Sequence, residues 1–243
     1  MKIALRKTSL IDYPGRVSSV IFFPGCNLRC PWCHNGDLVL GNETGDLIAS
    51  EEAFAHIRKR QSILGGVVVS GGEPCLSGEL SGVIREIKAL SLPVKLDTNG
   101  MFPAVLEKLF SRAETSPDYI ALDLKIAPSR YGELTPANGN PELETGSAAL
   151  IRSAALIRAS GIAHEYRTLA LPNGFITEKD IEALAPLADN APWYFRPFKG
   201  GNCLDSAWDS FGEGTGEAGA GLKNLVEALA GKAKELGKSG IVP

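Results

Sequence analysis

Val20-Ile-Phe-Phe-Pro-Gly-Cys26-Asn-Leu-Arg-Cys30-Pro-Trp-Cys33 joins an apolar run to three cysteines through a Pro-Gly turn. Residues 17–23 read as a strand, and an unbroken apolar run suits a strand of a parallel sheet covered on both faces. The loop behind it carries three thiols in a C-x3-C-x2-C spacing, with no fourth cysteine nearby. A closed structural zinc site takes four ligands, and a ferredoxin-type cluster takes four thiolates. Three thiolates on one loop hold a [4Fe-4S] cluster with one iron left open, and an open iron can take a substrate as its ligand. The same residues also read as a Cys3His zinc site, with His34 as the fourth ligand.

Outward from this loop, strand-like and helix-like segments alternate. Ser50 is a candidate helix cap, and Glu51 and Glu52 suit the positive end of the helix that follows. Gly66-Val-Val-Val-Ser70 is a second apolar strand. Residues 78–90 place Leu80, Val83, Ile84 and Ile87 on one helical stripe. Strands at 93–97, 118–124, 164–171 and 193–197 alternate with helices at 104–110, 147–159 and 177–188. Six βα units of this kind predict a parallel sheet, and the pattern alone fits an open sheet or a barrel. The glycine-rich residues 212–221 read as a flexible loop. A C-terminal helix is expected over 222–237, within a single domain spanning 1–243.

The strand ends carry the polar residues. Ser70-Gly-Gly-Glu-Pro74 has two glycines that allow close backbone approach to a ligand and a carboxylate, Glu73, suited to an ammonium group. Asp97-Thr98-Asn99-Gly100 reads equally as an ordinary turn. Asp123 after an apolar strand needs a partner or a ligand, and Lys125 follows it. Arg167 lies in the 164–171 strand, which implies a partner inside the fold or a salt bridge. Cys75 and Cys203 are isolated, and the simplest reading of Cys75 is a small packed residue. Residues 196–203 form a turn-rich segment at the last strand end, where a substrate could be met.

Composition narrows the setting. The chain has 243 residues, 44% of them hydrophobic, which fits one sizeable α/β domain. A net charge of -3 suggests neither a nucleic-acid groove nor an anionic membrane surface. No apolar run is long enough to span a bilayer. The first seven residues are basic without an apolar stretch behind them, unlike a secretory signal. Five cysteines, three of them clustered, point to a reducing cytoplasm.

Cys26-x3-Cys30-x2-Cys33, with Trp32 before the last cysteine, resembles the signature of the radical S-adenosylmethionine (SAM) enzymes. The longer string Ser9-Leu-Ile-Asp-Tyr-Pro-Gly15, Phe22-Phe-Pro-Gly-Cys26 and Cys33-His34-Asn35 resembles the branch that activates glycyl-radical enzymes. Within it the chain is most similar to the activating proteins of anaerobic ribonucleoside-triphosphate reductase.

The resemblance implies an α/β fold, a partial (β/α)6 TIM-like barrel open on one side. Parallel barrels place their chemistry at the C-terminal strand ends, where every motif above falls. It implies that Cys26, Cys30 and Cys33 hold a [4Fe-4S] cluster and that Trp32 lies against the adenine of SAM. Gly71, Gly72 and Glu73 bind the methionine amino group in such a site. Asp97, Thr98 and Asp123, with the Ala121 carbonyl, hold a monovalent cation against the SAM carboxylate. Lys125 contacts SAM, and Arg167 lies near its carboxylate or ribose.

The implied activity is that of an oxidoreductase. A flavodoxin or ferredoxin reduces the cluster, SAM is cleaved reductively, and a 5′-deoxyadenosyl radical removes hydrogen from a glycine of a partner protein. The cofactors carry the hard step, and no side chain need act as acid or base. Three alternatives stand beside this reading. One is a small-molecule radical SAM enzyme similar to the 7-carboxy-7-deazaguanine synthases. Another is an activase of a different glycyl-radical enzyme, such as pyruvate formate-lyase. The third is a zinc-binding interaction protein without catalysis. Activases with a cysteine-rich insert before the Gly-Gly-Glu turn are excluded, because residues 34–70 contain no cysteine.

Overall fold

The computed structural model describes residues 1–41, 47–136, 146–211 and 216–243. Six strands, β2 (Ser18–Phe23), β4 (Gly66–Gly71), β5 (Val94–Thr98), β6 (Tyr119–Asp123), β7 (Ala163–Ala170) and β8 (Trp193–Pro197), run parallel and pair in chain order. They are the six strands expected from the apolar runs. Two further strands, β1 (Lys2–Ser9) and β3 (Leu47–Ala49), extend the sheet as antiparallel neighbours, in the order β3-β1-β2-β4-β5-β6-β7-β8.

Both additions lie at one edge, which explains why they were hidden in the sequence. In β1 only Ile3 and Ser9 are buried, while Arg6 and Lys7 face solvent. Charged residues on an outer strand discourage pairing with another chain, and they also mask the apolar alternation. The opposite edge, β8, is covered differently. The Phe195 N–H donates to the Ile241 carbonyl at 2.8 Å, and the Ile241 N–H to the Trp193 carbonyl at 2.7 Å.

The helices are α1 (Gly36–Leu40), α2 (Ser50–Lys59), α3 (Leu80–Ala89), α4 (Pro103–Phe110), α5 (Gly146–Ser160), α6 (Glu178–Leu184) and α7 (Gly216–Glu235). Ser50 is the first residue of α2 and makes no capping hydrogen bond, so Ala49 takes the cap position. The expected glycine-rich loop divides. Residues 212–215 lie outside the described residues, and from Gly216 the chain is helical, six residues before the expected start at 222. Glu217, Ala218 and Ala220 are good helix formers, and they interleave glycines that cost only about 1 kcal/mol each in a helix. No helix among the described residues is long and apolar enough to cross a membrane.

Alternation along the strands sorts the two faces of the sheet. Val94, Leu96, Ile120, Leu122, Tyr166 and Thr168 are buried on one face. The other face carries Lys95 and Asp97 of β5, Tyr119 and Asp123 of β6, and Glu165 and Arg167 of β7. These charged residues form a ladder through the concave side of the sheet. Lys95 Nζ lies 3.7 Å from Glu165 and 2.5 Å from Asp97, and Tyr119 donates to Glu165 at 3.0 Å. The ladder leads up to the strand ends, where the candidate site opens.

Candidate functional site

The cysteine loop leaves β2 and is tied down on every side. The Gly72 N–H donates to the Phe23 carbonyl and the Glu73 N–H to the Gly25 carbonyl, both at 2.9 Å. The Arg29 N–H reaches the Leu134 carbonyl at 2.7 Å. From the segment after β8, the Leu204 N–H reaches the Cys33 carbonyl at 2.8 Å and the Asp205 N–H the Pro31 carbonyl at 2.9 Å. The Arg29 guanidinium folds back onto the Cys26 and Leu28 carbonyls.

Gly71 and Gly72 serve this docking. Gly71 has φ +133°, and a Cβ on Gly72 would lie 2.0 Å from the Gly25 carbonyl oxygen. The glycines were expected to admit a ligand. In the structure they let the end of β4 press against the root of the cysteine loop.

Cys26, Cys30 and Cys33 all open onto one cavity of about 440 Å³. Its opposite wall is made by residues 70–73, by Asp97, Thr98 and Asn99, and by Asp123, Lys125 and Arg167. Every site side chain read from the sequence lines this cavity, Trp32 included, while Ala121 does not. Burial pushes the Cys26 thiol up to about 11 and the Cys30 thiol up to about 12. Both stay neutral at physiological pH until a metal makes them thiolates. Lys125 is the cation close enough to act against that rise at both sulfurs.

The donor set fits an iron–sulfur cluster. Three thiols surround one cavity, and the ammonium of Lys125 stands near two of them. His34, the fourth ligand of a Cys3His site, is used elsewhere: its Nε2 meets the Lys199 carbonyl, and its ring stacks on Phe198 at 5.6 Å. Among the described residues no three of His, Cys, Asp and Glu converge closely enough to hold a single metal ion.

Glu73 has a role the sequence did not suggest. It is 1% exposed and accepts from the Cys75 N–H at 3.0 Å, the Thr98 hydroxyl at 2.8 Å and the Asn99 N–H at 2.7 Å. Burial raises its pKa, and these three donors work against that rise. Its carboxylate is thus a clasp between the ends of β4 and β5. Cys75 packs beneath this clasp, fully buried, with its sulfur 3.7 Å from the Thr98 hydroxyl.

The aspartates expected to hold a monovalent cation are met by protein cations. Arg167 bridges Asp123 at 2.9 Å and Asp97 at 3.1 Å. Lys95 adds to Asp97 and Lys125 to Asp123. Burial alone would raise both carboxyl pKa values, but Arg167 and the lysines outweigh it. Asp123 is held down at about 2, and Asp97 is lowered as well. Burial likewise opposes the charge of Lys125 and Arg167, and their aspartate partners reverse the effect, raising both pKa values. Thr98 is turned to Glu73. The acids and bases of the concave face thus pair with one another.

Trp32 is 4% exposed. It packs on Phe175 at 5.0 Å and on Trp208 at 5.4 Å, so its ring is both cavity wall and part of an aromatic cover. Three contributors were not picked out from the sequence. Arg196 lines the cavity mouth, is exposed, and has no ion-pair partner among the described residues. Asn99 and Asn27 join the β5 turn to the cysteine loop. Only the position of 196–203 at a strand end pointed towards Arg196. Nothing local marked the two asparagines.

The family model described as the Radical SAM superfamily matches residues 20–188. "Putative glycyl-radical enzyme activating enzyme MJ1227" of Methanocaldococcus jannaschii is 33% identical over 187 residues, covering 76% of this chain and 74% of its own length. The pyruvate formate-lyase-activating enzyme of Listeria monocytogenes is 34% identical over 143 residues, covering 55% of this chain and 57% of that enzyme. A radical SAM methyltransferase from Sphaerobacter thermophilus has a similar fold, with a TM-score of 0.64 at 16% identity, covering 97% of this chain and 68% of the other.

Proposed function

We propose that this chain, which belongs to the radical SAM superfamily and to its glycyl-radical-enzyme activating branch, serves an anaerobic ribonucleoside-triphosphate reductase as its activase. The observation that carries the reading is the shared cavity: three cysteines of one loop face the 70–73 turn and the Asp97–Asp123–Arg167 group. Residues 9–15, 22–26 and 33–35 support the glycyl-radical activating branch, and the reductase as partner rests on the chain's overall resemblance to that group within the branch. A pyruvate formate-lyase partner is the second reading, favoured by the 34% identity to the Listeria enzyme.

When bound, the cluster and SAM would supply the reductive cleavage of SAM and the radical abstraction of hydrogen from a glycine of the partner. The chain's own residues bind and shield. Cys26, Cys30 and Cys33 are the iron ligands in this reading. The backbone of Gly71, Gly72 and Glu73, held by the Glu73 clasp, receives the amino end of SAM, with Asp97 and Thr98 beside it. Asp123, Lys125 and Arg167 present a fixed set of charges to its polar groups, and Trp32 excludes water. A flavodoxin or ferredoxin supplies the electron, in the cytoplasm.

The test is anaerobic reconstitution followed by dithionite and SAM. About four irons per chain and release of 5′-deoxyadenosine are expected. The Cys30→Ala variant should stay folded and release none. Zinc in place of iron, or a full cluster that never cleaves SAM, overturns the reading. A glycyl-radical EPR signal on the reductase, against one on pyruvate formate-lyase, decides the partner.

A further inference from the structure

Asn99 is 4% exposed and sits in the turn after β5. Its amide is oriented from both sides. The side-chain oxygen accepts the Met101 N–H at 3.0 Å. The NH2 group therefore faces the cysteine loop, 2.9 Å from Asn27 Oδ1 and 3.8 Å from Cys26 Sγ. The backbone N–H of Asn99 is held by Glu73, so the turn cannot slide away from the sulfur. The Leu28 N–H, at 3.4 Å, is a second donor to the same atom.

We propose that Asn99 is a positioning residue that donates an N–H···S hydrogen bond to Cys26 and thereby raises the reduction potential of the cluster held there. The proposal rests on the cluster assignment above. A donor aimed at a ligand sulfur draws electron density from the thiolate, which favours the more negative, reduced state of the cluster. Hydrogen bonds to sulfur are one of the main settings of iron–sulfur potentials, and partners behind the ligands commonly tune a metal site. The donor here belongs to the turn that Glu73 clasps to residues 70–73. The SAM side of the cavity and one cluster ligand are thus fixed by the same few hydrogen bonds.

The experiment compares wild type with Asn99→Leu, a change that keeps the branching of the side chain, enlarges it and removes the donor. Both proteins are reconstituted anaerobically, their iron and sulfide counted, and their clusters titrated with dithionite through mediators and followed by EPR. The expected result is a full cluster in both, with a lower midpoint in the variant. A tenfold fall in the reduced-to-oxidised ratio at fixed potential corresponds to about 59 mV for this one-electron couple.

An unchanged midpoint with a full cluster overturns the proposal. Failure of wild type to load iron overturns the cluster assignment itself, which separates the two. Should Asn99→Leu not load, pulsed EPR of reduced wild type labelled with amide-15N asparagine decides. A side-chain nitrogen coupling to the cluster supports the hydrogen bond, and its absence overturns it.

Discussion

Asp97 and Asp123 keep their charge because protein cations surround them, and that fixes how the molecule responds to acid. The folded pKa of Asp123 is depressed to about 2, against about 3.9 in an unfolded chain. A depressed carboxyl contributes stability that is complete above its unfolded value. That stability is lost as pH falls from about 4 towards 2. For Asp123 the contribution is about 2 kcal/mol. We expect urea midpoints of the wild type to drop across that interval. Asp123→Asn should be less stable at neutral pH and show a smaller drop. An equal drop in the variant would mean that other carboxylates carry the acid sensitivity. The same pairing predicts that SAM binding is insensitive to exchanging sodium for potassium or choline at constant ionic strength. Isothermal titration would show otherwise if Asp97, Thr98 and Asp123 held a metal cation.

At the scale of elements, the decisive contact lies between the end of β4 and the root of the cysteine loop. Gly72→Ala places a methyl group 2.0 Å from the Gly25 oxygen and 3.2 Å from the Cys26 side chain. Backbone must move, so a loss of roughly 2 kcal/mol or more is expected, together with reduced iron loading. Gly78 has open space around its missing Cβ. Gly78→Ala should be neutral or stabilising by up to about 1 kcal/mol. Equal stability and iron content in the two variants would show that the docking is not needed.

This contact also shows what the sequence could carry. The cysteines, the Gly-Gly-Glu turn, Asp97 and Asp123 were legible because each lies at the end of a strand-forming run, and Arg167 because it is a charge within a strand. Their destinations were less so. Glu73 suits an ammonium group in one dimension, but folding brings Thr98 and Asn99 to it from another strand. Asn99 reads as a turn residue because Asn-Gly is a common turn, and its partner Asn27 is remote in sequence. The strand β1 escaped notice because its exposed residues, Arg6 to Thr8, break the apolar alternation.

At the scale of the whole molecule, the sheet does not close on itself, and the first and last parallel strands are joined by side chains and one loop. Residues 198–211, which follow β8, cross to the cysteine loop after β2. They are pinned there by the Leu204 and Asp205 N–H groups and by the meeting of His34 with the Lys199 carbonyl. Trp208, on this crossing, stands at the centre of an aromatic cover: Trp32 and Phe175 at 5.4 Å, Phe198 at 5.8 Å and Phe211 at 6.0 Å. Arg130 supports the cover from the side. Its guanidinium lies over the Phe175 ring at 5.1 Å, accepted by Asp180 at 2.8 Å. These rings come from three separate stretches of chain, which is why no pattern within one stretch announced them. We expect this cover, through Trp32, to limit access of water and oxygen to the cysteines, because solvent exposure is a factor that sets cluster behaviour. Trp208→Ala should therefore leave anaerobic iron content unchanged while bleaching severalfold faster in air, as followed by visible absorbance. Trp208→Phe, which keeps an aromatic edge, should fall between the two. The cover costs little to test against its rival, a purely packing role: that role predicts lower thermal stability with no change in bleaching rate below the unfolding transition. A bleaching rate equal to wild type in Trp208→Ala would leave the crossing as a structural brace alone.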